Sequence, residues 1–229
     1  MKRESDPRLR AAVLRWLANK YKLTDVREPN HLSSYVYCIT KTFFDQKVQA
    51  IPTEEEMLLF AIGYGLQEVL TPPEANIPTY DVAGIIYRPD IGFTPLIPEL
   101  QRLTEIKTTR KSSKYHEKED ALPETWVEYM MGGCKMTNTL EYSLVILYLM
   151  GNYSPPFPQL YTDRITFEQA ELDANWLRLA QRKRVLDEAL VVGDPPTPFK
   201  WNKEWECKGC RYLLMCQTIS SREKGDTDG

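Results

Sequence analysis

Two apolar runs rich in β-branched residues, separated by a segment rich in Pro and Gly, constrain the middle of this 229-residue chain. The runs cover residues 82–87 and 103–108, and their composition is typical of strands. We therefore predict a β-hairpin with a long connection. Because side chains two apart on a strand project to the same face, Glu105 and Lys107 share one surface while Ile106 faces the core.

A second carboxylate beside this charged pair would complete a candidate hydrolytic site. Asp90 follows the C-terminal end of the first strand, where the second run returns beside it, and this geometry favours it over Asp81. Asp90, Glu105 and the backbone carbonyl of Ile106 can then hold Mg²⁺ or Mn²⁺ through oxygen, with Lys107 beside a phosphate. The alternative for an isolated Glu-x-Lys is a surface ion pair between strands.

Three cysteines near the end of the chain, Cys207, Cys210 and Cys216, follow the spacing Cys-x2-Cys-x5-Cys. Thiolates this close usually share a metal ion or a cluster. Cys38 can supply the fourth ligand, and the alternative for Cys38 alone is a small buried apolar residue. Cys134 is then left over. Spacing by itself does not separate a tetrahedral Zn²⁺ site from an iron-sulfur cluster.

Together these motifs resemble the iron-sulfur branch of the RecB-like nucleases, and within it the CRISPR-associated exonuclease family, Cas-four. The resemblance rests on Cys38 and Lys41 followed by aromatic residues, on Glu-x-Lys, and on the terminal cysteines. It implies an α/β fold of the PD-(D/E)XK, restriction-endonuclease-like type, with a mixed sheet flanked by helices. It also implies a 4Fe-4S cluster that joins the N-terminal helical region to the C-terminal tail through Cys38, Cys207, Cys210 and Cys216.

The function implied by the resemblance is a metal-dependent DNA nuclease, most simply a single-strand exonuclease. A CRISPR integrase complex or phage recombination proteins are the partners it implies. The chain departs from the family at Gln67, where relatives carry a metal-binding histidine, so Gln67 is predicted to be a weak metal contact. The helix over 123–137 also lacks the family's Gln-x3-Tyr spacing. These departures favour the rival interpretation, a catalytically weak DNA-binding or scaffold protein that keeps the fold.

Basic and aromatic residues near the candidate site predict DNA contacts. Arg110, Lys111 and Lys114 lie in a polar stretch after Lys107 that we interpret as a mobile loop, and they can bind phosphates. The alternative is a solvated charged loop. In the helix over 123–137, Tyr129 is the predicted DNA contact and Glu128 a further substitute for the missing family residues.

Composition indicates one domain. The chain is 42% hydrophobic, which allows one substantial core over 1–219, with a helical part at 1–50, a nuclease core at 51–190 and a cysteine tail at 195–219. Residues 220–229 are predicted to form a frayed tail. A net charge of -3 argues against coating DNA by bulk charge. No apolar run has the length of a membrane span and the N-terminus does not resemble a signal peptide, so a cytoplasmic protein without membrane contact is expected.

Periodicity predicts the remaining elements. Helices are expected over 7–22, from residue 33 or 34 to 44, over 53–70, 123–137 and 167–192, and strands over 141–150 and 159–167.

Overall fold

The computed structural model describes residues 7–23, 30–48, 52–73, 75–92, 103–111, 116, 122–149 and 158–225. Within these ranges the helices are α1 (Pro7–Lys20), α2 (Ser33–Val36), α3 (Ile39–Lys47), α4 (Glu54–Leu70), α5 (Glu124–Thr137), α6 (Gln169–Val192) and α7 (Leu213–Gly225). The strands are β1 (Tyr80–Val82), β2 (Ile85–Tyr87), β3 (Thr104–Thr109), β4 (Glu141–Tyr148) and β5 (Gln159–Thr166). A 3-10 turn spans Glu204–Cys207.

The main sheet has the order β3-β4-β5, with β3 parallel to β4 and β4 antiparallel to β5. Parallel strands need a crossover connection, and α5 lies in the segment that joins β3 to β4. Alternate residues of β4 are buried, which places one face of the sheet against the core. The structure is therefore mixed α/β with a mixed sheet, as predicted at that level.

A pair of glycines lets α5 approach the sheet closely. A Cβ atom built on Gly133 would lie 2.6 Å from the Tyr87 ring and 3.1 Å from the Tyr142 ring. One built on Gly132 would lie 2.9 Å from the Leu32 side chain. Larger residues at these positions would push α5 away from β2, β4 and the charged residues of β3.

The predicted hairpin between 82–87 and 103–108 is wrong. Ala83 and Gly84 have φ of 53° and 72°, so they form a two-residue turn between the short strands β1 and β2 instead of continuing one strand. The strand β3 pairs with β4, not with β2. An isolated antiparallel bridge between Ile91 and Thr104 still brings the chain after β2 back beside β3.

The single helix predicted from residue 33 or 34 to 44 is also wrong, because it is broken between α2 and α3. Tyr37 is extended and Cys38 is the N-cap of α3. The buried guanidinium of Arg182, on α6, donates to the carbonyls of Tyr35 (2.5 Å), Tyr37 (2.5 Å) and Trp201 (2.8 Å). The Arg182 side chain thus donates to the carbonyls of Tyr35 and Tyr37, which in a continuous helix would accept from backbone N–H groups of the next turn.

Other elements agree with the sequence patterns. The capping box of α4 is formed, since Thr53 and Glu56 exchange both of their predicted hydrogen bonds. Of the predicted frayed tail at 220–229, residues 220–225 continue α7 and 226–229 lie outside the described residues. The described helices include none that is both long and apolar enough to cross a membrane.

Candidate active site

Asp90 is held between α4 and β3. One carboxylate oxygen, Oδ1, accepts a hydrogen bond from Gln67 Nε2 at 2.6 Å, and Oδ2 accepts one from the backbone N–H of Ile106 at 2.7 Å. Asp81, in contrast, is exposed and accepts from the backbone N–H of Gly84 within the β1–β2 turn. The structure thus places Asp90, not Asp81, beside the Glu-x-Lys segment.

Glu105 and Lys107 form an ion pair on β3, on the same side of the strand. The Glu105 side chain is buried, with 5% of the residue exposed, and its Oε2 accepts from the Tyr142 hydroxyl at 3.5 Å. The Lys107 ammonium lies 5.8 Å from the ring centre of Trp126 and 5.6 Å from that of Tyr129. The pair is therefore not the surface ion pair of the alternative interpretation but a largely desolvated pair against aromatic rings.

Burial sets the electrostatics of these groups. Together with a smaller effect of the nearby charge of Asp90, it raises the pKa of Glu105 to about 7, against the opposing effect of Lys107. Burial also raises the pKa of Asp90, although the Ile106 N–H, Lys107 and Gln67 oppose it. For Lys107, burial lowers the pKa, but the charge and hydrogen bond of Glu105 outweigh burial, so the net pKa is raised. Lys107 is therefore an ammonium beside two carboxylates that resist ionisation.

A pocket of about 180 Å³ opens beside the ion pair. Its lining consists of His31, Ser33, Tyr37, Glu105, Lys107, Thr125, Trp126 and Tyr129. Trp126 is partly buried against the core and also lies on this pocket. The Tyr129 hydroxyl donates to the carbonyl of Arg88 at 3.3 Å, which fixes its ring at the pocket wall.

Five pocket residues were not predicted as site residues. Two of them, Thr125 and Trp126, lie on α5 beside the predicted Tyr129, and the other three are His31, Ser33 and Tyr37. These three come from the chain around α2, which no pattern in the sequence connects with β3. Their only local signal is a polar pair, His31 and Ser33, next to buried apolar residues.

Glu128 is not a substitute catalytic group, contrary to the prediction. Its carboxylate faces away from the pocket and pairs with Arg178 and Lys203, each at 3.0 Å. The helix α5 therefore contributes aromatic residues, not a carboxylate, to the pocket.

The predicted DNA-contacting segment after β3 is described in part. Arg110 and Lys111 are exposed immediately after the strand, while Lys114 lies outside the described residues. Further along the same stretch, His116 packs on Tyr161 with ring centres 4.0 Å apart. Its Nε2 also lies 3.4 Å from Asp163 Oδ1. His116 therefore packs against the strand β5 and does not line the pocket.

The four cysteines of the predicted cluster line one cavity between α3 and the C-terminal tail: Cys38, Cys207, Cys210 and Cys216. Asn202 Nδ2 donates to the Cys207 sulfur at 3.3 Å. Burial and, to a smaller extent, the neighbouring thiols raise the pKa of the Cys216 thiol to about 11. Cys134 is fully buried at another place, with its sulfur 3.7 Å from the carbonyl of Glu141. Four cysteines therefore share one cavity and Cys134 lies elsewhere, while their binding of a metal centre stays a prediction.

The donor chemistry of both sites fits the predicted metals. Two neighbouring carboxylates, of which Asp90 raises the pKa of Glu105, favour a hard divalent cation, and four thiols suit Zn²⁺ or an iron-sulfur cluster. In the described part of the chain, however, no three His, Cys, Asp or Glu side chains already stand in a metal-binding arrangement. Each site has suitable ligands without formed coordination geometry.

Comparison with known proteins identifies a fold and no family. No family model and no curated protein matches the chain. The crystal structure of SSO0001 is similar with a TM-score of 0.54 and 16% identity, over 91% of this chain and 97% of that one. Weaker similarities are found to a phage-related exonuclease from Haemophilus somnus 129PT (TM-score 0.44, 14% identity, 71% of this chain and 83% of that one) and to the alkaline exonuclease LHK-Exo from Laribacter hongkongensis (TM-score 0.45, 16% identity, 78% and 94%). At these identities the similarity to SSO0001 shows a shared fold alone.

Proposed function

We propose that this protein is a metal-dependent DNA nuclease. The observation that carries the proposal is the meeting of Asp90, Glu105 and Lys107 at the start of β3, next to an open pocket. Two partly desolvated carboxylates and one ammonium can together bind a divalent cation and an anionic phosphodiester. Cleavage of single strands from an end, within CRISPR adaptation or phage or host DNA processing, is the more specific form, and it rests on the sequence resemblance.

The residues have distinct roles in the proposed reaction. Asp90, Glu105 and the carbonyl of Ile106 would hold Mg²⁺ or Mn²⁺, with Gln67 orienting Asp90 through its hydrogen bond. When bound, the cation would lower the pKa of a water molecule and polarise the phosphodiester. Each carboxylate oxygen that already accepts one hydrogen bond keeps a second lone pair for this purpose.

Lys107 acts as a cation in this proposal. The sequence alone left it as either a group that removes a proton from water or a group that orients it. Because Glu105 raises its pKa, Lys107 carries its proton in the metal-free protein, and we assign it the orienting role and not that of the base. Its ammonium orients the phosphate or the water and offsets the negative charge that develops on the phosphate oxygens.

The four-cysteine cavity is proposed to hold a 4Fe-4S cluster, with Zn²⁺ as the alternative. It lies apart from the pocket, so we assign it no step in cleavage. Cys38 begins α3 and the other three cysteines belong to the C-terminal tail, so a bound metal centre would fasten these two distant segments together.

Single-stranded oligodeoxynucleotides labelled at the 5′ or the 3′ end provide the test. Incubated with Mg²⁺ or Mn²⁺, the wild-type protein is expected to shorten them, and Lys107→Ala is expected to be severely impaired. Lys135→Ala is the matched control, since Lys135 also forms an ion pair, with Asp173, but lies outside the pocket. Negligible degradation by wild type and by Lys107→Ala alike would reject the nuclease.

A DNA-binding or scaffold protein is the second candidate, and the hydrogen bonds of the Asp90 carboxylate favour it. Both Asp90 oxygens already accept hydrogen bonds, from Gln67 and from Ile106. In addition, Gln67 is a neutral amide and a weaker ligand than the imidazole of relatives. Binding of the labelled strands without any cleavage in either metal would select this candidate.

A further inference from the structure

The side chain of Asn202 donates to a sulfur of the four-cysteine cavity. Its Nδ2 lies 3.3 Å from the Cys207 sulfur and 3.2 Å from the carbonyl oxygen of Lys203. A carbonyl oxygen can only accept a hydrogen bond, so the nitrogen of the amide, and not its oxygen, must lie at this position. The group of Asn202 that faces the Cys207 sulfur is therefore an N–H donor.

The oxygen of the same amide lacks a hydrogen bond. Asn202 Oδ1 is buried and has no hydrogen-bond partner in the described part of the chain. Burying an unpaired oxygen costs stability, and the sulfur of a thiol is a weak acceptor that compensates little. A thiolate is a stronger acceptor because it is charged. The orientation of Asn202 thus suits a thiolate at Cys207, which is the form of cysteine that binds a metal.

Other donor side chains on the cavity have partners elsewhere. The Thr40 hydroxyl donates to a backbone carbonyl at 3.2 Å. Lys41 and the Tyr212 hydroxyl both contact the carboxylate of Asp45. Of the cavity side chains in the described ranges, Asn202 is therefore the one that donates to a cysteine sulfur.

We propose that Asn202 is a positioning residue of the metal centre, whose Nδ2–H donates to the metal-bound sulfur of Cys207. The inference rests on the metal centre assigned under the proposed function and does not depend on DNA cleavage. A hydrogen bond to a ligand sulfur stabilises its negative charge and fixes its direction, and loss of such a partner typically weakens metal binding by about 10- to 100-fold. In an iron-sulfur cluster the same donor raises the reduction potential, because the reduced cluster carries one more negative charge.

Two substitutions at position 202 remove the donor in different ways. Asn202→Leu nearly keeps the size of the side chain without a polar group, while Asn202→Asp places an anionic acceptor opposite the sulfur. We expect the Leu variant to hold the metal about 10-fold more weakly than wild type, and the Asp variant more weakly still, since its carboxylate repels the thiolate. If the metal centre is an iron-sulfur cluster, both variants should have a lower reduction potential than wild type.

Tyr212→Phe is the matched control. It removes a hydroxyl from the same cavity, but that hydroxyl donates to Asp45 and not to a sulfur. Its metal retention and reduction potential should equal those of wild type. Equal losses in Tyr212→Phe and Asn202→Leu would show that any polar change in the cavity weakens metal binding, which would contradict a specific role for Asn202.

Metal retention is measured by competition with a chelator, with the released iron or zinc quantified, and the potential by anaerobic redox titration of the visible absorbance. Circular dichroism verifies that each variant is folded. Retention by both position-202 variants equal to wild type would overturn the proposal, as would wild-type protein that binds neither metal. In a zinc protein the order of retention alone decides. Failure to cut DNA would reject the nuclease and leave this inference standing, because none of these measurements uses DNA.

Discussion

The backbone N–H of Cys38 donates a hydrogen bond to Glu206 Oε1 at 2.8 Å, across 168 residues of sequence. The other carboxylate oxygen of Glu206 accepts from the backbone N–H of Lys203 at 2.6 Å. One side chain thus joins the start of α3 to the turn that carries Cys207. The two segments that supply the thiols are connected by protein groups alone, before any metal is considered.

Replacing Glu206 should therefore destabilise the cysteine cavity. In Glu206→Ala the N–H groups of Cys38 and Lys203 lose their acceptor, and each such loss costs roughly 1 to 3 kcal/mol. We expect a lower melting temperature, by about 2 to 4 °C for each kcal/mol in a protein of this size. Glu204→Ala is the control, because Glu204 is exposed in the same turn. A Glu206→Ala protein that melts like wild type would show that water replaces these bonds without cost.

Metal content tests the four-cysteine cavity. We expect anaerobically purified protein to contain iron and to absorb broadly near about 400 nm, and Cys210→Ala to lose the metal and melt at a lower temperature. Cys134→Ala removes a buried thiol outside the cavity, so its metal content should equal that of wild type. Zinc in place of iron in a colourless protein would select the Zn²⁺ alternative, and the absence of both metals would reject a metal centre.

The neutral variant Glu105→Gln should lose DNA cleavage while keeping the fold. It retains the size of the side chain but removes one of the two anionic ligands for the divalent cation, so we expect a loss of about 100-fold or more. Cleavage of the labelled strands and the circular dichroism spectrum are the measurements. Asp81→Asn serves as the matched control, since Asp81 lies in the exposed β1–β2 turn. Retained cleavage by Glu105→Gln would exclude Glu105 as a metal ligand.

The raised pKa of Glu105 predicts a pH dependence of metal binding. In the folded protein this carboxyl holds its proton up to pH about 7, whereas the usual value is 4.5. Between these values the folded state binds more protons than the unfolded state, so this group's contribution makes the metal-free protein less stable as pH rises through that window. Because a cation must displace the same proton, stabilisation by Mg²⁺ should grow as pH rises through about 7 and then level off.

Melting temperatures with and without MgCl₂, at about pH 5.5 and about pH 8.5, measure this effect. Glu105→Gln should show no increase in the Mg²⁺ response between the two pH values, because the titrating carboxyl is gone. A wild-type Mg²⁺ response that is the same at both pH values would contradict a role for the Glu105 proton.

Local signals in the sequence predicted several features well. The capping box at Thr53 and Glu56 depends on residues three apart, and the structure forms both of its hydrogen bonds. The hairpin failed because strand pairing is a non-local choice: β3 packs better with the apolar strand β4, and the turn at Ala83 and Gly84 needs backbone conformations that an alternating apolar run does not reveal. The helix break at Tyr37 was equally hidden, since the group that stabilises it, Arg182, is distant in sequence.

By itself, the sequence determined which chemical groups are present: carboxylates and a lysine at fixed spacing on a strand, and four thiols, one near the N-terminus and three near the C-terminus. Those groups follow from residue identity and from the two-residue period of a strand, which are local properties. Only the tertiary structure decided their surroundings, namely the burial that raises the pKa of Glu105 and the position of His31 on the same pocket as Lys107. Burial and such contacts come from packing between segments far apart in the chain, and packing is set by the whole fold.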